Sequence, residues 1–489
     1  MGKPRGFIEF DRQTHSKRTP KERLLDWNEH VIRMTNKDIE NQAARCMNCG
    51  IPYCSSGVIL EGLTTGCPLH NLIPEWNDLV YKGKYEDAYR RLEKTNPFPE
   101  FTSRVCPAPC EGACTTGLNL DSVSIKGIEY EIIETAFKNS YVKSYNGPKT
   151  NKRIAVIGSG PAGLSAAHYL TNVGHTVTVF EKSDKPGGLL MYGIPQMKLE
   201  KSIIQRRIEI MEESGVTFKC NTEFGTDINS EQLEQEFDAI LLATGTQVAR
   251  DINVEGRNLI GVHFALEFLT NNTKHLLDDR PLNISTKDKH VVIIGGGDTA
   301  TDCVATSIRQ GCKSVTQLEI MPEKEEYRNE TKNPWPEYPK VKTIDYGHQE
   351  AIELFNTDPR TYLTTCPKIN GEDGVVKSID TVTVKWEKKR HGKFVPKPIK
   401  ASIQNIPADI VLIAIGFLGP NEEVISKFNI RLDKNIHNSE TENFVTEKEH
   451  VFVTGDMRIG QSLVVTALQE GKLVAKEIDI YLMGTSSIE

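Results

Sequence analysis

Arg153-Ile-Ala-Val-Ile-Gly158-Ser-Gly160-Pro-Ala-Gly163 is the stretch that decides the fold. The run from Arg153 to Ile157 is short, apolar and ended by glycine, which is the pattern of a buried parallel strand. A helical pattern from Leu164 to Val173 follows, and then a second strand, Val177-Thr-Val-Phe-Glu181. In a strand-turn-helix unit of this kind Gly158 permits the tight turn, Gly160 lets the backbone approach a pyrophosphate, and Gly163 allows close helix packing. The helix N-terminus offers its unpaired N–H groups to the phosphates. Glu181, 18 residues past Gly163, stands where an acid accepts hydrogen bonds from a ribose. Glycine spacing alone is weak evidence, but strand, helix and terminal acid together specify a dinucleotide site.

About 137 residues further on the pattern returns as His290-Val-Val-Ile-Ile294 and Gly295-Gly-Gly297-Asp298-Thr299-Ala300, with alanine in place of the third glycine. A helix over Ala300 to Gln310 and a strand over Ser314 to Ile320 complete this second unit. Its acid is Glu319, 19 residues past Ala300. A carboxylate there suits a free 2'-hydroxyl and repels a 2'-phosphate, so NADH is favoured over NADPH unless Lys324 or Arg328 folds back. Two apolar runs, Ile240 to Thr246 and Ile410 to Gly416, read as the last strand of each nucleotide fold. Val451-Phe-Val-Thr-Gly-Asp456 precedes a helical stretch from Leu463 to Ala475, which brings Asp456 to a helix approach fit for a flavin.

Working outward, the loop Tyr145-Asn-Gly-Pro-Lys-Thr150 separates this α/β region from a first third rich in Pro, Cys and charge. Short amphipathic stretches there, Ile39 to Arg45 and Tyr85 to Leu92, read as helices packed around something other than a large apolar core. Seven of the 11 cysteines fall between Cys46 and Cys114. An odd-numbered local cluster points to metal or redox chemistry rather than a disulfide framework. The spacing Cys46-x2-Cys49-x4-Cys54, Cys67-Pro, and Cys106, Cys110 and Cys114 at intervals of four suits iron-sulfur ligation. Zinc stays open on spacing alone, although two closed four-cysteine sites would need eight cysteines. Cys220, Cys303, Cys312 and Cys366 read as small buried hydrophobes, and His70, His168 and His348 as ordinary polar side chains.

The chain has 489 residues, about three domains' worth, and a formal net charge of −7. That balance provides no basic field for nucleic acid, and the longest apolar run, Ile410 to Leu418, is too short to span a membrane. Met1 to Arg23 is basic but has no apolar core segment, so it predicts no secretory signal, and the location expected is cytoplasmic. The basic arm itself reads as a docking segment or a solvated tail.

From Lys152 to the end the layout resembles the two-dinucleotide-binding flavoproteins, in which FAD takes the first fold and NAD(P)H an inserted second one. A disulfide reductase of that group needs a cysteine pair beside the flavin, and no CxxC follows Cys49. With the cysteine domain, Pro186-Gly-Gly188-Leu-Leu-Met-Tyr-Gly-Ile-Pro195, Asn333 to Pro339 and Asp345-Tyr-Gly-His348 included, the whole chain resembles the small (beta) subunit of bacterial glutamate synthase.

The resemblance implies two Rossmann-like domains, with Gly188 among the flavin contacts, preceded by an α-helical iron-sulfur domain. Its boundaries would be 1–150 for two 4Fe-4S clusters, 151–255 with 418–489 for FAD, and 256–417 for NAD(P)H. One cluster would take Cys46, Cys49, Cys54 and Cys114, and the other Cys67, Cys106 and Cys110. A Gln or Glu completes the second set in relatives, which maps to Glu129, with Glu131 as second choice. Where many NADPH-using small subunits carry a Tyr-Arg-Arg pattern, this chain reads Gln317-Leu-Glu-Ile-Met-Pro322. The implied activity is oxidation of NAD(P)H through FAD and the clusters toward a large (alpha) subunit that holds FMN and makes glutamate from glutamine and 2-oxoglutarate. No catalytic protein acid or base is needed, because the cofactors carry hydride and electrons. The alternatives are a subunit of an electron-bifurcating ferredoxin-NAD(P) oxidoreductase and a non-enzymatic iron-sulfur scaffold.

Overall fold

The computed structural model describes residues 2–145, 147–389, 392, 394–430 and 444–489, so Asn146 of the first linker lies outside the described residues. Two five-stranded parallel sheets organise the chain from Arg153 onward. In the first, the order is Val451–Val453, Ala239–Leu242, Arg153–Ile157, Thr176–Phe180 and Thr217–Lys219. Its register sets Ile157 opposite both Phe180 and Leu242, so Gly158, Glu181 and Ala243 leave the sheet side by side at the carboxyl edge. In the second, the order is Val262–Phe264, Ile410–Ile413, His290–Ile294, Ser314–Leu318 and Arg360–Thr361. Ile294 faces Leu318 and Ile413, which likewise gathers Gly295, Glu319 and Ala414 at one edge. Ligands of open parallel sheets bind at such edges.

Several details differ from the sequence reading. The run from Ile240 is not the last strand of its fold; Ala239–Leu242 is interior, and Val451–Val453 returns from the far end of the chain to close the edge. The strand before Glu319 stops at Leu318, and the C-terminal helix runs on to Met483. Between the strands at Arg360 and Ile410 the chain makes an antiparallel excursion, built on Thr364–Glu372 and the long strand Val375–Lys388.

The first third is helical, with Asn36–Ala44, Ile73–Tyr81, Tyr85–Glu93, Pro99–Val105 and Ile125–Lys138 as its main elements. It is not short of apolar core. Trp76, Phe98, Phe101, Ile128 and Ile132 are all fully buried and join one continuous cluster with Val156, Leu164 and Ile478 of the first nucleotide fold. The helices therefore share a core with that fold instead of standing apart. The basic arm is also packed: Arg12 pairs with Glu111, Arg18 with Asp26, and Arg23 with the fully buried Glu350. Trp27 rests on Met197 of the first nucleotide fold and on Ala305 and Tyr346 of the second. Among the described residues no helix is long and apolar enough to cross a membrane.

Candidate functional site: two nucleotide cradles and a pair of cysteine-lined cavities

The first cradle is assembled by Glu181. Its Oε2 accepts the Ser159 N–H at 3.1 Å and the Ser159 hydroxyl at 2.5 Å, while Oε1 accepts the Ser183 N–H at 2.8 Å. Ser159 Oγ in turn accepts the Gly187 N–H at 2.9 Å, which ties the Pro186 segment to the glycine turn. A side chain at Gly163 would meet the Gly158 carbonyl at 2.1 Å, whereas one at Gly160 would meet nothing within 4 Å. Gly163 is thus required by packing, and Gly160 by whatever enters the open space at the start of the helix Pro161–Asn172. Gly188 packs against Gly160, since a Cβ there would lie 2.8 Å from the Gly160 Cα. A Cβ on Gly455 would lie 2.7 Å from that of Ala162, so the neighbouring Asp456 sits at the same helix start. Burial pushes the Asp456 carboxyl up to about 6, and the Ser462 hydroxyl donates to it at 2.6 Å.

The second cradle repeats the plan with one exchange. Where the first has Ser159 under its acid, the second has Gly296, and the Glu319 carboxylate occupies the place a Gly296 side chain would take. Glu319 Oε1 accepts the Met321 N–H at 2.8 Å. Gly297 again opens on free space, and Asp298 and Thr299 begin the helix Asp298–Arg309. Arg328 does not fold back on Glu319; it donates to the Glu337 carbonyl at 2.8 Å. Between the cradles the buried Asp302 pairs with Lys198 at 3.2 Å and accepts the Tyr346 hydroxyl at 2.7 Å. No sequence motif marks Lys198, because its partner is 104 residues away.

The seven clustered cysteines line two cavities. One has Cys46, Cys49, Cys54 and Cys114 on its wall. The other has Cys67, Cys106, Cys110 and Glu129. Burial raises the Cys67 and Cys106 thiols each to about 12. Such a cost is offset when a cation replaces the proton. Glu129 is buried and pushed up to about 7 by desolvation; Thr102 and Asn96 both donate to its Oε1, and among the described residues Oε2 makes no hydrogen bond. Glu131 lies elsewhere, bonded to His15 at 3.0 Å and to Arg33. Lys126, another residue without a motif, donates to the Cys106 carbonyl at 2.8 Å and braces the second cavity from beneath.

Zinc gathers its ligands about 2.3 Å from one point. Among the described residues no three His, Cys, Asp or Glu side chains converge on a single ion in this way. A void ringed by four donors fits a multi-atom cluster better. Ile73 and Ile125 line both cavities, and Val465, at the start of the C-terminal helix Val464–Met483, lines the second. The two cavities are therefore neighbours, and the second one touches the first nucleotide fold.

Of the other cysteines, Cys303, Cys312 and Cys366 are buried, while Cys220 is half-exposed. His168 is half-buried and His348 buried, desolvation lowers the pKa of both, and His70 bonds the Ser55 carbonyl at 3.1 Å.

Two Rossmann-like cradles joined to a cysteine-lined helical domain define an iron-sulfur flavoprotein oxidoreductase of the two-dinucleotide type. Residues 152–471 match the pyridine nucleotide-disulphide oxidoreductase family, and residues 23–141 match the 4Fe-4S domain II of dihydropyrimidine dehydrogenase. The glutamate synthase [NADPH] small chain of Bacillus subtilis is 45% identical over 491 residues, covering 99% of each chain. Glutamate synthase [NADH] of Schizosaccharomyces pombe is 43% identical over 492 residues, which is 99% of this chain and 23% of that one. Among solved structures, Mycobacterium tuberculosis FprA in complex with NADPH shares the fold of the nucleotide-binding region, with a TM-score of 0.53 at 17% identity over 69% of this chain and 85% of that one. The chain belongs to the glutamate synthase small-chain family.

Proposed function

We propose that this chain is the electron-input subunit of a glutamate synthase, taking electrons from NAD(P)H and delivering them to a separate large subunit in the cytoplasm. The domains assigned are 1–150 for the clusters, 151–255 with 418–489 for FAD, of which 431–443 lie outside the described residues, and 256–417 for NAD(P)H. The first cradle, with Gly158, Gly160, Gly163, Glu181, Gly188 and Asp456, holds FAD; the second, with Gly295, Gly297, Asp298, Thr299 and Glu319, holds the nicotinamide dinucleotide. Cys46, Cys49, Cys54 and Cys114 ligate one 4Fe-4S cluster, and Cys67, Cys106, Cys110 and Glu129 the other. When bound, these groups supply hydride acceptance and one-electron transfer.

The residues supply orientation and insulation. Glu181 and Glu319 fix the ribose ends at the two sheet edges, and the apolar walls around Ile73 and Ile125 keep water from the thiolates. The observation that carries the reading is the continuity of sites: Val465 joins the flavin fold to the second cavity, and Ile73 and Ile125 join the second cavity to the first. The large subunit as destination is supported by yeast relatives in which a similar sequence is 22 to 23% of a longer glutamate synthase chain.

The test is anaerobic titration of the purified chain with NADH, combined with iron analysis. The reading expects a bleached flavin band and about eight irons per chain. Zinc in place of iron, or a flavin that NADH and NADPH both leave oxidised, overturns it.

A further inference from the structure

The cysteine domain carries an apolar finger that the proposed chemistry does not use. Strands Val58–Leu60 and Leu63–Thr65 form a two-stranded antiparallel hairpin with register Val58 to Thr65 and Leu60 to Leu63. Ile59 is 54% exposed, Val58 45% and Leu63 38%, and Ile51 nearby is 78% exposed. Alternate residues of a strand point to opposite faces, so Val58 and Ile59 present apolar surface on both sides of the ribbon. A lone hairpin of this length is marginal in water, and contiguous exposed apolar surface marks a contact site. The only charge in the hairpin is Glu61 at its turn.

Its root is placed between the two cavities. The segment leaves from Cys54 of the first and returns at Cys67 of the second, and the Cys67 N–H donates to the Cys54 carbonyl at 2.8 Å. Ser55 donates to the Asn71 carbonyl at 2.7 Å and Ser56 to the Tyr53 carbonyl at 2.8 Å, so the base is held while the tip stands free. Tyr53 beside it packs edge-on against Trp335 at 4.9 Å, which widens the apolar surface with a segment of the second nucleotide fold. Cys49 is the most exposed of the seven clustered cysteines.

We infer that the hairpin Val58–Thr65 is the docking element for the large glutamate synthase chain, laying its apolar tip against an apolar surface of that chain. The inference rests on the proposed function. The occupant is indicated by the yeast relatives, in which a similar sequence is covalently part of a glutamate synthase chain more than four times as long, so the two parts are held together. A contact at this place would bring the partner to the cavities through which electrons leave.

The experiment measures binding of the intact, cofactor-loaded chain to the isolated large chain from the same cell, for wild type, Ile59→Asp, the double variant Val58→Ser with Leu63→Ser, and Ile59→Val. Iron content and NADH oxidation with an artificial acceptor are recorded for each. The expected result is affinity weakened at least about tenfold in the polar variants, wild-type affinity in Ile59→Val, and unchanged iron and artificial-acceptor activity in all. Unchanged affinity in both polar variants overturns the docking assignment. Equal loss in Ile59→Val, or loss of iron along with affinity, assigns the hairpin to cluster housing and also overturns it. If wild type itself does not bind the large chain, the proposed function fails first, so the two failures are distinguishable.

Discussion

The imidazole of His30 stacks on the ring of Tyr346, with centroids 5.3 Å apart and planes 13° from parallel, while its Nδ1–H donates to the Met197 carbonyl at 3.1 Å. One residue of the N-terminal arm thereby touches both nucleotide folds. Arg309 reinforces the clasp by donating to the Asp26 carbonyl at 3.1 Å, and Arg23 by donating to Gln349 at 2.8 Å.

An arm in this position fixes the second fold against the first. Replacing Trp27 and His30 together by alanine removes apolar contacts, and large-to-small changes of this kind cost about 2 to 5 kcal/mol where buried. The expected outcome is faster amide exchange around Ala305 and Tyr346 and slower flavin reduction by NADH, with FAD content unchanged. Exchange rates equal to wild type would assign the arm no such role.

The two glycines of the first turn should separate experimentally. Gly160→Leu enters open space, so the chain is expected to fold with its clusters but without FAD. Gly163→Ala drives a methyl group into the Gly158 carbonyl, and overpacking costs about 1 to 3 kcal/mol. It should therefore lower the unfolding midpoint even with FAD present. Absorbance of the purified variants and their melting curves check both outcomes.

The parallel strands and the acids at their ends were legible because a buried strand is a continuous apolar run and glycine punctuates it. The antiparallel excursion was missed although the end of the strand Val375–Lys388 alternates in period two, with Val382 and Val384 buried and Thr383 and Lys385 more open. That alternation lay outside the strand-glycine-helix template. The pairing of the cysteines into two sets followed from family likeness, and spacing alone left zinc open. Glu129 and Glu131 were indistinguishable in sequence because two helical positions differ only in direction, about 200° around the axis. Packing separates them: one enters the second cavity and the other is taken by Arg33. Lys126 and Lys198 had no signal, since each acts through partners distant in the chain.

Desolvation holds three histidines in neutral form: His30 and His348 are buried and His168 is half-buried. Burial lowers His30 to about 4, His168 to about 3 and His348 to about 4. In the unfolded chain each takes a proton near pH 6.5. Between about pH 6.5 and 4 the unfolded state binds more protons, so stability falls as the pH drops through that window, by about 1.4 kcal/mol per pH unit for each histidine. His168 Nε2 accepts from Asn172 at 3.1 Å, and glutamine can accept in its place. His168→Gln is expected to flatten the fall in the urea midpoint between pH 6.5 and 5. An unchanged slope would show that another group governs it.

Glu129 should behave as a ligand and Glu131 as a brace. Glu129→Ala is expected to reduce iron from about eight to about four atoms per chain, and Glu129→Cys, which supplies a thiolate, to restore it. NADH should still bleach the flavin in both. Glu131→Ala loses the pairs to His15 and Arg33 and should melt earlier with full iron. Full iron in Glu129→Ala would remove it from the ligand set.

The proposed assignment of the second cradle makes nucleotide choice depend on Glu319. Its carboxylate lies over Gly296 at the edge of the second sheet, with Oε1 held by the Met321 N–H. From that place it can accept the hydroxyls of an adenosine ribose, a charge-assisted contact of about 1.5 to 3 kcal/mol, and it repels a 2'-phosphate. Of the two cations that could compensate, Arg328 is engaged with the Glu337 carbonyl and Lys324 is solvent-exposed, so the expected balance stays with NADH. The expected wild-type preference is therefore for NADH. Glu319→Arg removes the repulsion and adds a cation, and should shift the ratio of kcat/KM toward NADPH by at least about tenfold, or about 1.4 kcal/mol. Because the clusters lie beyond the flavin fold, iron content and cluster absorbance should not change. A wild-type chain that already prefers NADPH, or a variant whose ratio stays put, would show that the ribose is read by another residue.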